Sequence, residues 1–378
     1  MKTNLITTIA LSFCCVMTAF GQDATTLYNE GVKLKEEKNV REALAKFKQA
    51  ASLKPDYYAA FYESGWCLND LKDYREAINN LRKARVGWST IPKVHFELGY
   101  AFEKLEKLDS AIYSYDRCLA LKSDYSLAHK QLGYIAYNKE DYTAALDHFS
   151  RYEAAAKTEI KDYLYWYRKG FINNAIKKYG DAKTYLLKSK GYKADYINTY
   201  LELGFASSRL KENEQAISYY KQAIDLEPRN HIPYNGIGEV YRDNIKDRNE
   251  AMVWYQKALD VKPGERKAHF GMGYCLNSNG KYNEAITHLK EAIKSEATYA
   301  AAYVELGYSY YKVDRYTEAL ENLNKAILLN DKNENARYYA TLVYIKQHNK
   351  TMAQKMVNEL KALSSKQVAE LQQKVDAM

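Results

Sequence analysis

Five cysteines in 378 residues, two of them inside an apolar N-terminal stretch, leave no room for a disulfide framework. The other three, Cys67, Cys118 and Cys275, are odd in number and lie 51 and 157 residues apart. Paired-cysteine metal spacing is missing, and so are a His-Glu-x-x-His helix motif and the Gly-x-Ser-x-Gly elbow of a serine nucleophile. No metal, cofactor or catalytic residue is expected, and the chain reads as a non-enzyme. No alternating apolar-polar run argues for strands. Beyond the N-terminal segment no stretch is long and apolar enough to span a bilayer. Charge of one sign is not in large excess either. With 56 Lys and Arg against 47 Asp and Glu the formal net charge is +9, too mild to point to a nucleic-acid partner.

What is present is periodic. Gly31, Gly65, Gly99, Gly133, Gly170, Gly204, Gly238, Gly273 and Gly307 recur at intervals of 34, 34, 34, 37, 34, 34, 35 and 34 residues. A second comb runs in phase with them: Ala43, Ala77, Ala111, Ala145, Ala182, Ala216, Ala251, Ala285 and Ala319. One structural unit is therefore copied head to tail. Within it, apolar residues at spacings of three and four make two helical stripes, such as Leu27, Gly31 and Leu34, then Ala43, Phe47 and Ala50. The break falls at Glu37, Lys38 and Asn39, and Pro55, Pro228 and Pro263 close the second helix of their units. A glycine inside a helix costs about 1 kcal/mol against alanine, so nine copies imply close helix-helix approach at each.

The pattern resembles the tetratricopeptide repeat. In the sixth unit Tyr200, Leu203, Gly204, Ala216, Tyr220, Ala223 and Pro228 fall at that family's offsets, and the ninth repeats the pattern with Asp331 in place of the proline. The resemblance implies an all-α, right-handed superhelical solenoid of about nine to ten helix-turn-helix repeats. Its domain spans residues 22–363, with units starting near 24, 58, 92, 126, 163, 197, 231, 266, 300 and 334. The tenth is degenerate, with Thr341 in the glycine slot and Ala353 in the alanine slot. The fifth departs most, placing Lys169, Asn173 and Ser189 in slots that are usually apolar.

Both ends differ from the array. Lys2, the apolar run Leu5 to Phe20 and the small-x-small site Ala19-Phe20-Gly21 read as a signal peptide over residues 1–21. Its removal would take the charge to +8 and place the protein in the periplasm, at the outer membrane or outside the cell. A lipid anchor at Cys14 or Cys15 is the alternative, disfavoured by the bulky Phe13. Residues 364–378 read as a capping helix, with Ser364 and Gln367 as a capping box and Val368, Leu371 and Val375 as its stripe. A dimerisation helix is the other reading.

Register also sorts the candidate residues. His95, His129 and His269 share the fourth slot with Leu27, Phe61, Trp166, Tyr200, Tyr234 and Tyr303, which marks a packing position. Gly236-Ile237-Gly238 and Gly271-Met272-Gly273 lie within first helices with no preceding strand, so they are not phosphate loops. The three cysteines take slots that hold alanine in other units.

By the resemblance, ligand contacts in the concave groove come from the second, fifth, ninth and twelfth slots. The ninth holds Trp66, Tyr100, Tyr134, Phe171, Phe205, Tyr274 and Tyr308, with Val32 and Glu239 as exceptions, and the fifth holds Tyr28, Tyr62, Phe96, Tyr167 and Phe270. These are expected to form an aromatic ladder for a protein or peptide partner. Asn69, Asn174 and Asn277 in the twelfth slot are expected to pair with a peptide backbone. The clamp that some family members use for acidic C-termini is not supported, because only Lys130 is a cation in the fifth slot and the ninth lacks Asn. The function expected is a non-catalytic scaffold in an envelope complex, with no nucleic-acid partner. A glycan-binding module and a structural spacer remain as alternatives.

Overall fold

The structure is a computed structural model that describes residues 23–378. The signal-peptide reading of residues 1–21 lies outside the described residues. Among those described, 21 α-helices and one short π-helix are present and no strand occurs. They make an all-α array of helical hairpins in two compact units, residues 23–160 and 161–378.

In the N-terminal unit the first helices span Ala24–Glu36, Tyr58–Asp70, Pro92–Lys104 and Ser126–Asn138. Their partners span Val40–Leu53, Tyr74–Gly87, Leu108–Leu121 and Tyr142–Ala155. In the C-terminal unit the first helices are Tyr163–Ala175, Ile197–Arg209, His231–Glu239, Arg266–Ser278, Ala300–Lys312 and Glu334–Lys346. The second helices are Tyr179–Tyr192, Asn213–Leu226, Arg248–Val261, Tyr282–Ser295, Tyr316–Leu329 and Lys350–Ala362, followed by Val368–Asp376. The 37-residue glycine interval corresponds to a longer connection after Ala155, and the boundary between the units falls in it.

Each hairpin is held by one recurring contact. The comb glycine faces the large side chain of the second helix sixteen or seventeen residues on: Phe47, Leu81, Tyr115, Phe149, Leu186, Tyr220, Tyr255, Leu289 or Leu323. A Cβ at Gly99 would stand 2.7 Å from the Tyr115 ring, and Tyr115 is fully buried. The alanine comb is likewise fully buried. In the tenth hairpin Thr341 and Val357, both buried, occupy the slots that elsewhere pair Gly with a larger residue, so a bigger first partner meets a smaller second one.

The turn inside each hairpin needs a left-handed residue. Lys38, Lys72, Glu106, Glu140, Lys177, Lys211, Lys246, Asp314 and His348 all have φ between 57° and 68°, and Gly280 fills the same place at 75°. In nine of these ten turns, all but the one at Lys246, the next residue's N–H bonds back to a carbonyl five residues earlier, as Asp73 does to Leu68 at 2.8 Å and Lys107 to Phe102 at 2.9 Å. This Schellman closure satisfies carbonyls that the helix end leaves open.

The one 35-residue interval has a local cause. The first helix of repeat 7 passes at Val240 into a π-helix that runs to Ile245. A wider turn absorbs one extra residue without ending the helix. Repeat 5 buries its unusual polar residues by pairing them: Asn173 Nδ2 donates to the Lys169 carbonyl at 2.7 Å, and Ser189 Oγ donates to the Tyr163 carbonyl at 2.9 Å. The terminal helix puts Leu371 and Val375 against the tenth hairpin. Its start differs from the expected capping box. Ser364 sits at φ 57° within the turn, and Ser365 Oγ accepts the Gln367 N–H at 3.3 Å instead.

Gly99→Ala is expected to cost about 1–3 kcal/mol through overpacking against Tyr115. Gly180→Ala, in an exposed helical position with no neighbouring atom within 4 Å, is expected to gain up to about 1 kcal/mol. Urea denaturation of the two variants checks this, and equal shifts would contradict the close-approach account.

Candidate functional site

Within each unit the first helices of successive repeats lie side by side, so a given slot recurs along one wall of that unit. In the N-terminal unit that wall opens into a pocket of about 460 Å³. Trp66, Asn69 and Asp70 come from the first helix of repeat 2, Phe96, Glu97 and Tyr100 from repeat 3, and Leu127, Lys130 and Gln131 from repeat 4. Lys72 and Tyr74 complete the lining. Four residues expected from sequence, Trp66, Asn69, Phe96 and Tyr100, are thus brought together. A second pocket, of about 260 Å³, lies within the C-terminal unit and includes Phe270 and Tyr274 beside Arg242, Asp243 and Glu305.

The ninth-slot rings are not sealed. Trp66, Tyr100, Tyr134, Phe171, Tyr274 and Tyr308 are half-buried and Phe205 is exposed. In the fifth slot Tyr28, Tyr167 and Phe270 are half-buried, whereas Tyr62 and Phe96 are buried in apolar clusters. Tyr62 is therefore a packing residue and not a free groove contact, while Phe96 still forms part of the pocket wall. A simple ladder of first-helix rings also needs correction. Ninth-slot rings meet the tyrosine that opens the preceding second helix: Tyr100 with Tyr74 at 6.3 Å, Phe205 with Tyr179 at 6.0 Å, Tyr308 with Tyr282 at 6.0 Å. Fifth-slot rings meet a tyrosine just before the next first helix: Tyr28 with Tyr57, Phe96 with Tyr125, Tyr167 with Tyr196 and Phe270 with Tyr299, all between 5.0 and 5.2 Å. Tyr57, Tyr125, Tyr196 and Tyr299 form a third comb, which helical periodicity does not reveal because they lie just before the helices. Several ring faces also carry cations: Lys35 stands 3.9 Å from the Trp66 centroid, Lys104 5.0 Å from Tyr100 and Lys130 5.6 Å from Tyr134.

The twelfth-slot asparagines do not wait for a peptide backbone. Asn69 Nδ2 donates to the Glu97 carbonyl at 3.1 Å and to its Oε2 at 2.7 Å. Asn174 does the same to Glu202, and Asn277 to Glu305, each 28 residues on. Lys35 meets Glu63 by the same offset at 2.6 Å. These pairs staple one repeat to the next and use the donors that a backbone partner would have needed. The constant spacing of Asn and Glu was the signal for them. Ser309 Oγ donates to Asn277 Oδ1 at 2.6 Å, but Asn69 Oδ1 and Asn174 Oδ1 are buried with no hydrogen-bond partner among the described residues. Alanines, Ala101 and Ala206, stand at the corresponding positions of repeats 3 and 6.

Burial sets the charge state of these carboxyls. It pushes Glu97 up to about 7, against the lowering effect of the Asn69 bond and of Lys35. Glu202 and Glu305 are raised by the same burial, opposed by their asparagines, and burial raises Glu239 too.

The histidines close turns. His95, His129 and His269 donate through Nε2 to the carbonyls of Ser89, Ser123 and Pro263 at 2.8–2.9 Å, and Tyr200 and Tyr234 hydroxyls reach the equivalent carbonyls of Ala194 and Pro228. Cys67, Cys118 and Cys275 are fully buried, and burial pushes Cys67 and Cys118 up to about 12 and Cys275 to about 11. Such thiols stay protonated and unreactive at neutral pH. No group of three or more His, Cys, Asp or Glu side chains able to hold a metal occurs among the described residues, and none of the described helices is long and apolar enough to cross a membrane.

Hairpins of this length, each closed by a Gly-to-large contact and repeated head to tail, define a helical repeat scaffold. Tetratricopeptide repeat profiles match residues 28–89, 70–126, 96–160 and 197–230, and a profile described as anaphase-promoting complex, cyclosome, subunit 3 matches residues 245–326. The chain belongs to the tetratricopeptide repeat family. It is 33% identical over 86 residues to anaphase-promoting complex subunit 6 of Arabidopsis thaliana, a match that spans 22% of this chain and only 16% of that protein. Among solved structures, the Cut9-Hcn1 hetero-tetramer of the APC/C is similar with a TM-score of 0.52 at 16% identity, over 93% of this chain and 90% of that one. PilF of Pseudomonas aeruginosa is similar with a TM-score of 0.50 at 16% identity, over 56% and 96%. These likenesses concern the fold.

Because Glu97 binds its proton more tightly folded than unfolded, its burial favours folding most below about pH 4.5, and that contribution is lost as pH rises through about 7. Glu97→Gln removes the charged form. It is expected to raise the unfolding free energy read from urea denaturation at pH 8, by at most roughly 3 kcal/mol, and to change it little near pH 4.5. The same shift at both pH values would contradict the assignment.

Proposed function

We propose that this chain is a non-catalytic scaffold that holds an extended segment or a helix of a partner protein against the wall of its first helices. The observation that carries the reading is the pair of half-buried ninth-slot rings, Trp66 and Tyr100, that line the pocket of the N-terminal unit together with Phe96. Partly exposed aromatic side chains offer large apolar area at low rotamer cost, and contiguous strips of them on a soluble surface mark contact sites. Neighbouring carboxyls, amides and lysines supply the polar fixings that an extended peptide needs. Stacking of sugar rings is less well served, because lysines already cover faces of Trp66, Tyr100 and Tyr134. From the N-terminal sequence we place the scaffold outside the cytoplasm, in an envelope complex.

Replacing Trp66, Tyr100 and Tyr134 by alanine together is expected to weaken binding of peptides selected from a random display library by roughly a hundredfold or more, at about 1 kcal/mol or more per lost ring. Circular dichroism should still report a helical array. Unchanged affinity, or selection of saccharides alone on a glycan array, would remove the proposal.

A further inference from the structure

We infer that two histidine pairs, His129 with His148 and His269 with His288, are acid-sensitive latches on helices that line the two pockets, so that the wall releases its partner segment as pH falls. This rests on the peptide-binding reading above and adds the regulation of that site.

The same geometry occurs twice. His129 Nδ1 lies 3.1 Å from His148 Nδ1, and His269 Nδ1 lies 3.0 Å from His288 Nδ1, with ring centroids 5.4 and 5.3 Å apart. In each pair the Nε2 of the first-helix ring also lies 2.8–2.9 Å from a turn carbonyl, that of Ser123 or Pro263. A carbonyl only accepts, so that Nε2 carries a proton, and in the neutral ring Nδ1 then holds a lone pair. The proton between the rings therefore belongs to His148 or His288, whose own Nε2 is left as the open base of the pair. One added proton fits there. A second has no place except between two Nδ1 atoms that already share one. With both rings charged, two N–H groups of like charge face each other and the contact opens.

The surroundings disfavour charge on the pairs. His129 and His269 are buried, each the fourth residue of its helix, where a cation meets the positive end of the helix dipole. Burial, and then the facing His129, lowers His148 below its ordinary value; Arg151 adds to this, while Asp147 and Asp116 oppose it. Burial and then His269 lower His288 in the same way, against Glu284. At the accepting turns the carboxylates are engaged, Asp124 with Lys122 and Glu265 with Lys262 and His231. Folded, each pair thus binds protons less readily than the unfolded chain. Its contribution to stability is complete above about pH 6.5 and is lost as pH falls below that.

The latched helices carry pocket residues. His129 shares the helix Ser126–Asn138 with Leu127, Lys130 and Gln131 of the N-terminal unit's pocket, and His269 shares Arg266–Ser278 with Phe270 and Tyr274 of the other. Repeat 3 supplies the contrast. His95 makes the same carbonyl bond, but Ser114 takes the place of the second histidine and donates to the Ser110 carbonyl. Its helix, Pro92–Lys104, brings Phe96, Glu97 and Tyr100 to the same pocket without a latch. Acid should therefore loosen one side of that pocket and spare the other.

The test uses the full chain carrying Glu97→Gln, so that the neighbouring carboxyl does not titrate. It is compared with the same chain carrying His129→Tyr and His148→Asn, which copy Tyr303 and Asn322 of repeat 9. From about pH 7 to about pH 5, amide hydrogen exchange corrected for its intrinsic rate should lose roughly tenfold or more of its protection over residues 126–138, and little over 92–104. Affinity for a peptide selected from a random library at pH 7 should fall by roughly tenfold or more over the same interval. The added substitutions should remove both effects, while residues 266–278, whose pair is untouched, still respond to acid. Equal acid responses of the helices at 126–138 and 92–104, or an acid loss of affinity that survives the substitutions, overturn this inference and leave the peptide-binding reading standing. Selection of no peptide at all overturns that reading and, with it, the release of a partner.

Discussion

The structure depends on how closely two helices of one hairpin can approach. The glycine opposite Phe47, Leu81, Tyr115 and their equivalents lets a large side chain of the second helix lie against the backbone of the first. That contact fixes the crossing within each hairpin. The crossing then sets which slots of the first helix turn inward to the core and which stay on the open wall. Ala101, two residues after Gly99, is fully buried, while Tyr100 between them keeps part of its ring in solvent. A repeat protein gains its binding surface in this way, by repeating a local geometry until one slot becomes a wall.

Stapling between repeats uses a second, more polar device. Lys35–Glu63, Asn69–Glu97, Asn174–Glu202 and Asn277–Glu305 join neighbouring first helices at a constant offset, and burial of the glutamates gives the wall acceptors of unusual basicity. Three of the four staples use a neutral amide in place of a cation. This leaves carboxyls that burial, and not a paired cation, brings toward the neutral form.

Much of the fold was legible in the sequence because packing repeats. The glycine comb marks the close approaches, and the 35-residue interval marks the place where the helix widens into a π-turn at Val240–Ile245. Less of the site was legible. Slot number tells which side of a helix a residue occupies, but not whether a neighbour has already claimed it. Tyr62 shares its slot with Tyr28, yet it is buried under Trp88 and Lys93. Asn69 offers a free amide on paper, and only the three-dimensional partner 28 residues away shows that its donors are spent. The tyrosines at 57, 125, 196 and 299 were passed over because they sit in turns, where helical periodicity carries no information.

The central claim, that partners are held on the first-helix wall, is tested most directly by site-specific photo-crosslinking in the cells that make the protein. A photoreactive phenylalanine derivative at Tyr100, on the wall, is compared with the same group at Tyr113, which is 62% exposed on the second helix of the same repeat. The account predicts a discrete crosslinked protein from position 100 and none from position 113. The reverse pattern would contradict it.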